Sequence, residues 1–150
     1  MKRFVFSLQT VYEYKQVLER NEKAELRRAK DALQLLYNED ARLDAEFDAT
    51  VKSQETALKQ RWDLAGELAR HADYFRYIRE LKLELAEKIE KALELVRICQ
   101  EKLVRTMKEV KTYGKLRDEQ YAEYLVELAR EEQKEMNDIV SFKVISGELV

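Results

Sequence analysis

The sequence has 150 residues, of which 39% are charged and 45% hydrophobic, with three Gly and no Pro. A fold with many tight turns needs more of both, because Gly supplies positive φ and Pro presets turn geometry. The 28 basic and 30 acidic side chains give a formal charge of −2, which argues against a generic nucleic-acid binder. We therefore predict long helices joined by one or two sharp turns.

The first predicted helix covers about residues 4–62. Its apolar side chains recur at alternating steps of three and four residues, the spacing that keeps one stripe, the seam, against a partner helix. The steps from Leu18 to Glu22 and from Glu22 to Leu26 are both four residues, which indicates a stutter in this spacing. The seam consists of Leu26, Ala29, Leu33, Leu36, Asp40, Leu43, Phe47 and Thr50, with Phe4, Leu8, Val11 and Leu18 in a related stripe before it.

A turn is predicted at about residues 63–73, around Gly66. Gly is favoured just past a helix end, because it adopts the left-handed conformation at little cost. Folding there places part of a basic run, residues 97–117, beside an acidic run, residues 31–48. A continuous helix that dimerises with a second copy is the alternative, and it would not need the break at Gly66.

The second predicted helix covers about residues 74–138, and its seam keeps steps of three and four from Leu68 to Tyr124 without a slip. Polar seam residues such as Asp40 and Lys82 fix the register or let the coil flex. Residues 139–150 are predicted to be a frayed tail, or one ordered only on a partner. The fold class is therefore all-α: one domain, residues 1–150, forming an antiparallel two-helix coiled-coil hairpin.

Catalytic chemistry is not expected, because the single His71 and single Cys99 form no metal cluster and the scattered Gly form no phosphate loop. No cofactor is predicted, and a two-helix coil offers no concave site for a nucleophile and its base. The apolar start of the chain is too short for a signal peptide. We expect a soluble, cytoplasmic protein that binds other proteins and is monomeric when free.

Two groups of side chains exceed what a plain coiled coil requires. Tyr74, Tyr77 and Leu81 lie one residue off the seam and suggest a docking surface, since aromatic side chains are favoured interface anchors. The alternative is local packing against the turn or Trp62. The second group, Tyr121, Leu125 and Leu128, is interpreted as a wider core where the termini meet, through Phe4, Phe6 and Leu8.

Three segments of the chain form a further pattern: Phe4-x-Phe6-x-Leu8-x-x-Val11, Tyr74-Phe75-Arg76-Tyr77-Ile78-Arg79-Glu80-Leu81, and Glu132-Gln133-Lys134-Glu135-Met136-Asn137-Asp138. Together these segments resemble the bacterial flagellar export protein FliJ family. Each motif is weak alone, because coiled coils imitate one another, and Asn137 departs slightly from the family pattern. Their order and distances extend the resemblance over the full length of the chain.

The resemblance implies a non-enzymatic part of the flagellar type III export apparatus, with a coiled coil similar to the central stalk of rotary ATPases. Such a protein sits in the pore of the hexameric export ATPase FliI and promotes its assembly and activity. It also contacts the export gate protein FlhA and helps cycle export chaperones, peripherally at the inner face of the membrane. The implied gate residues are Tyr74, Tyr77 and Leu81; the implied ATPase-binding residues are Phe4, Phe6, Leu8, Val11, Tyr121, Leu125, Leu128, Gln133 and Met136.

Two other functions stay open at this point. An injectisome stalk of the same design would differ only in its partners. A generic coiled-coil scaffold would self-associate along its apolar stripe and leave the ATPase unaffected.

Overall fold

A computed structural model describes residues 2–60 and 64–147 of the chain. It contains two long helices, α1 from Gln9–Gln60 and α2 from Leu64–Ile145, and no strand among the described residues. Both sequences are rich in Leu, Ala, Glu, Lys and Arg, which lose little side-chain freedom in a helix, and neither contains Pro. The helices pack antiparallel, so the predicted all-α helical hairpin is confirmed.

The helix ends differ from the predicted ones. α1 begins at Gln9, where the Gln9 N–H donates to the Phe6 carbonyl at 3.1 Å, and not at residue 4. α2 begins at Leu64, so residues 64–73, predicted as a turn, are helical. Strong helix formers flank Gly66 and outweigh its cost of about 1 kcal/mol. The remaining predicted turn residue, Asp63, lies outside the described residues.

The end of α2 also corrects a prediction, because the helix continues past residue 138 to Ile145. Gly147 follows with a φ of 74°, the left-handed conformation that closes many helices. Its N–H donates to the Val144 carbonyl at 3.2 Å, and the Ser146 N–H donates to the Phe142 carbonyl at 2.8 Å. The predicted frayed tail is therefore helical as far as Ile145.

The contacts divide the chain into two compact units, which we call the terminal unit (Met1–Arg20 with Val104–Val150) and the connecting unit (Asn21–Leu103). In the connecting unit the helices bury two clusters of seam residues, one of Ala29, Val96 and Cys99 and one of Leu43, Ile78 and Leu85. Burying one Leu or Ile side chain stabilises a fold by roughly 1.5–3 kcal/mol. The predicted seam of α2 is thus the packed face.

Ion pairs of the connecting unit differ from those expected from the predicted pairing of the basic and acidic runs. Arg97 contacts Glu94 and Glu101 of its own helix, and the acidic Asp40 and Asp44 contact Lys82. The reason is that residues 64–73 are helical. Each residue of α1 therefore faces an earlier part of α2 than a turn at 63–73 would allow.

In the terminal unit, the residues before α1 lie against α2. The Phe4 ring packs edge-on against Tyr121 at 5.1 Å and lies 5.5 Å from the Tyr124 ring. The Tyr124 hydroxyl donates to the Lys2 carbonyl at 3.0 Å, and Phe6 is buried. Aromatic contacts and one side chain to backbone hydrogen bond therefore hold this non-helical segment in place.

The start of α1 packs in a different register from the predicted one. Tyr12, Lys15 and Glu19 are half-buried, whereas Val11 is 38% exposed. Leu8, Tyr12, Lys15, Glu19, Glu22 and Leu26 keep alternating steps of four and three, so the burial pattern contains no stutter. Polar side chains at Lys15, Glu19 and Glu22 concealed this register in the sequence.

Candidate functional site

The predicted gate-docking residues separate into two kinds. Tyr74 and Leu81 flank the seam and pack against the cluster of Leu43, Ile78 and Leu85. The Tyr74 hydroxyl also donates to the Glu46 carboxylate at 3.3 Å. Tyr77 occupies an outer heptad position and is 57% exposed. Local packing therefore accounts for Tyr74 and Leu81, and Tyr77 is the member of the set that a partner can reach.

A groove between the helices lies in the same unit. The rings of Phe47 and Phe75 are 5.1 Å apart, and Phe47 is 40% exposed although it occupies a seam position. The groove has a volume of about 440 Å³ and is lined by Asp44, Phe47, Phe75, Ile78, Arg79, Lys82 and Leu83. The sequence pattern does not reveal this groove, because Phe47 and Phe75 both occupy seam positions, where side chains are expected to pack between the helices.

The predicted ATPase-binding residues before and at the start of α1 are largely occupied by internal packing. Phe4 contacts the two α2 tyrosines, and the Phe6 ring packs against Tyr12 with ring centres 6.4 Å apart. Leu8 is half-buried, and its carbonyl accepts the Tyr12 N–H at 2.9 Å. Val11 is therefore the most accessible of these four residues, and Phe6 is part of the core.

The predicted residues on α2 are more accessible. Tyr121, Leu125 and Met136 are 46%, 44% and 60% exposed, whereas Leu128 is half-buried. The Gln133 side-chain amide donates to the Asn137 side-chain carbonyl at 3.1 Å on the surface. Tyr121 and Leu128 flank the seam, whereas Leu125 lies on the outer side. At the predicted wider core, Phe6 is buried, and the Phe4 ring packs against Tyr121 and Tyr124 at the surface.

The last part of α2 carries a mainly apolar stripe, of which the sequence analysis named Leu125, Gln133 and Met136 but not the other members. Every described residue after Leu128 is exposed. The residues of the stripe are spaced by three, four and four residues, and this pattern can be read from the sequence. Such an eleven-residue repeat keeps side chains on one side of a nearly straight helix. The terminal stripe, as we call it, consists of Ala122, Leu125, Ala129, Gln133, Met136, Val140 and Val144.

The charge pairs hold surface side chains in their ordinary charged forms. A hydrogen bond to Glu109 raises the pKa of Lys15, and one to Asp44 raises the pKa of Lys82. Arg42 lowers the pKa of Glu39 through a hydrogen bond, as Arg97 does for Glu94. These shifts move each pKa away from neutrality, so none of these groups becomes a proton donor or acceptor near pH 7.

The described residues contain neither a metal-binding cluster nor a membrane-spanning helix. Within residues 2–60 and 64–147, no group of three His, Cys, Asp or Glu side chains could hold a metal ion. In that same part of the chain, neither helix has a stretch long and apolar enough to cross a bilayer. The arrangement offers exposed apolar and aromatic side chains on two long helices, which suits contact with other proteins.

Comparison with known proteins agrees with the sequence resemblance. No curated protein and no solved structure matches the chain. The family model described as "Flagellar FliJ protein" matches residues 4–148, nearly the whole chain. The chain therefore belongs to the FliJ family and is a component of the bacterial flagellar export apparatus.

Proposed function

We propose that this chain is the stalk and adaptor of the flagellar type III export apparatus. Its terminal unit binds within the ring of the export ATPase FliI and promotes ring assembly and hydrolysis. Its connecting unit contacts the export gate protein FlhA, and the chain helps cycle export chaperones. Through these contacts it is held peripherally at the inner face of the membrane.

The observation that carries the ATPase proposal is the terminal stripe. Met136 and Val140 are 60% and 45% exposed on a stretch of α2 where every described residue is exposed. Exposed apolar stripes of this kind mark protein interaction sites, because burying them removes apolar area from water. A ring that binds the stripe more tightly in one subunit conformation than in another shifts its population toward that conformation.

The gate proposal is supported by Tyr77. This side chain is exposed on α2, directly next to Ile78, which is 2% exposed. A tyrosine held on a helix loses little conformational entropy when a partner covers it, which is why tyrosine is common among hot-spot residues. Tyr74 and Leu81 contribute by holding this part of α2 against α1.

ATP hydrolysis by the export ATPase of the same source, with and without the chain, tests the ATPase proposal. We expect saturable stimulation at less than one chain per ATPase subunit. Placing charges in the terminal stripe, as in Met136→Asp with Val140→Asp, should abolish stimulation, because desolvating a carboxylate opposes docking. Asn137→Asp with Ser141→Asp is the matched control, since it adds the same charge beside the stripe.

Two results would contradict the proposal. Stimulation that survives Met136→Asp with Val140→Asp would show that the terminal stripe is not the ATPase contact. An ATPase unaffected by the wild-type chain, with light scattering that shows growing self-association, would favour a generic coiled-coil scaffold.

A further inference from the structure

A second outward surface lies on α2 in the terminal unit. Val104, Met107, Lys108, Lys111 and Lys115 follow one another at spacings that place them on one side of a helix. All five are exposed, Val104 at 49% and Met107 at 45%. The seam residues of this stretch, such as the buried Thr106, lie on the other side of the helix. We call the five residues the basic face; they are not needed to hold α1 and α2 together.

The charge of this stretch is strongly one-sided. Residues 105–117 carry five basic side chains and one acidic side chain, a net charge of +4. The acidic side chain, Glu109, already contacts Lys15 of α1 at 2.5 Å. Within the described residues, Lys108, Lys111 and Lys115 form no ion pair. The three lysines therefore keep their charges available to a partner.

We propose that the basic face binds an acidic, partly apolar surface of the export ATPase. This inference rests on the proposed function, which places the terminal unit inside the ATPase ring, and it adds the chemistry of a second contact. Lysine side chains next to exposed Val104 and Met107 suit a protein surface that offers carboxylates around an apolar centre. Complementary charge of this kind accelerates association and fixes register.

The neighbouring sequence favours a local acidic patch over an extended polyanion. Residues 118–138 of the same helix carry eight acidic and two basic side chains, a net charge of −6. A membrane surface or a nucleic acid laid along α2 would meet this acidic segment and be repelled. A protein can instead place its carboxylates opposite one stretch of helix about 17 Å long, the distance that eleven residues span.

The test is the affinity of the full-length chain for the export ATPase at two salt concentrations, about 50 mM and about 300 mM NaCl, by biolayer interferometry. The test variant is Lys108→Glu with Lys111→Glu and Lys115→Glu. Lys30→Glu with Lys52→Glu and Lys88→Glu is the control, because it makes the same charge change at exposed lysines of the connecting unit. We expect at least about tenfold weaker binding at low salt for the test variant, with a smaller salt dependence, and a change within about twofold for the control.

Other outcomes separate this inference from the proposed function. If the test variant binds and stimulates the ATPase as the wild type does, the basic face is not the contact, although the proposed function stands. If the wild type does not bind, both fail. Lys→Gln at the same three positions repeats the measurement if the Glu variant loses its helical circular dichroism.

The remaining outcomes concern other occupants of the basic face. Vesicles of phosphatidylserine and phosphatidylcholine that bind the wild type but not the test variant, with ATPase affinity unchanged, would make the basic face a membrane contact and overturn the proposal. Sedimentation that shows self-association of the wild type but not of the test variant, again with ATPase affinity unchanged, would assign it to a second copy of the chain and overturn it equally.

Discussion

Lys82 of α2 lies with its ammonium nitrogen 3.6 Å from a carboxylate oxygen of Asp40 on α1, and it also contacts Asp44. Lys82 and Asp40 both occupy seam positions that an apolar side chain would ordinarily fill. Because three charged groups meet there, a shift of one helix along the other would leave charges beside apolar side chains. The pairing therefore favours the observed register of the connecting unit.

The first prediction concerns alkaline pH. The hydrogen bond to Asp44 raises the pKa of Lys82 above its ordinary value of 10.5. A lysine whose pKa is higher in the folded chain than in the unfolded chain stabilises the folded state. This contribution is complete below pH 10.5 and is lost as the pH rises through the pKa that Lys82 has in the folded state. Between about pH 8 and about pH 11.5 the wild type should therefore lose more melting temperature than Lys82→Met. Lys88→Met, at an exposed position of α2, is the control and should follow the wild type.

The second prediction compares the contributions to stability of two adjacent residues, one in the seam and one on the surface. Ile78 is 2% exposed and Tyr77 is 57% exposed. Ile78→Ala should lower the free energy of unfolding by about 2–4 kcal/mol, because it removes buried methylenes and leaves a cavity. Tyr77→Ala should change it by about 0.5 kcal/mol or less. Urea denaturation followed by circular dichroism measures both, and equal losses would contradict the packing described for α2.

The third prediction concerns the export gate. Tyr77→Ala should weaken binding to FlhA by about tenfold, the loss of about 1.4 kcal/mol, without changing the melting temperature. Leu81→Ala should instead lower the free energy of unfolding by roughly 1–2 kcal/mol, because Leu81 packs against the core cluster. Calorimetric titration and thermal melts distinguish the two. If Tyr77→Ala binds FlhA as tightly as the wild type does, Tyr77 is not part of the contact.

The fourth prediction concerns Gly114, which lies inside α2. A methyl group added there would meet the Tyr12 hydroxyl oxygen at 3.4 Å and ring carbons at 3.8 and 3.9 Å, ordinary contact distances. Gly114→Ala should therefore raise the free energy of unfolding by up to about 1 kcal/mol, since Ala favours the helix. Gly114→Leu should lower it, because a larger side chain would displace the Tyr12 ring. A destabilised Gly114→Ala variant would show that close approach at this position is required.

The sequence predicted the hairpin and most of the α2 seam because apolar spacing survives there almost without interruption. Of the seam positions from Leu68 to Tyr124, Arg117 is the one that is exposed. The start of α1 was harder, because half-buried Lys15, Glu19 and Glu22 carry polar groups at seam positions. One carboxylate oxygen of Glu22 is buried without a hydrogen-bond partner among the described residues. A search for regularly spaced apolar residues does not find such seam positions.

The candidate surfaces were predictable only in part. Spacing identified Tyr74, Tyr77 and Leu81 as one stripe, but the structure places Tyr74 and Leu81 against the seam and Tyr77 on the outer side. Two residues a turn apart can differ in this way, because only positions that flank the seam reach the opposite helix. Of the terminal stripe, Leu125, Gln133 and Met136 were predicted as binding residues, but the stripe as a whole was not, because its spacing differs from that of the seam it follows.

The single thiol of the chain gives a way to follow motion in the connecting unit. Cys99 is 7% exposed and packs with Ala29 and Val96, so an alkylating reagent reaches its sulfur only when these residues separate. The alkylation rate, measured by mass spectrometry, therefore reports how often the helices separate around Cys99. A partner that binds the connecting unit and holds its helices together should lower the alkylation rate of Cys99. A partner that separates α1 from α2 should raise it.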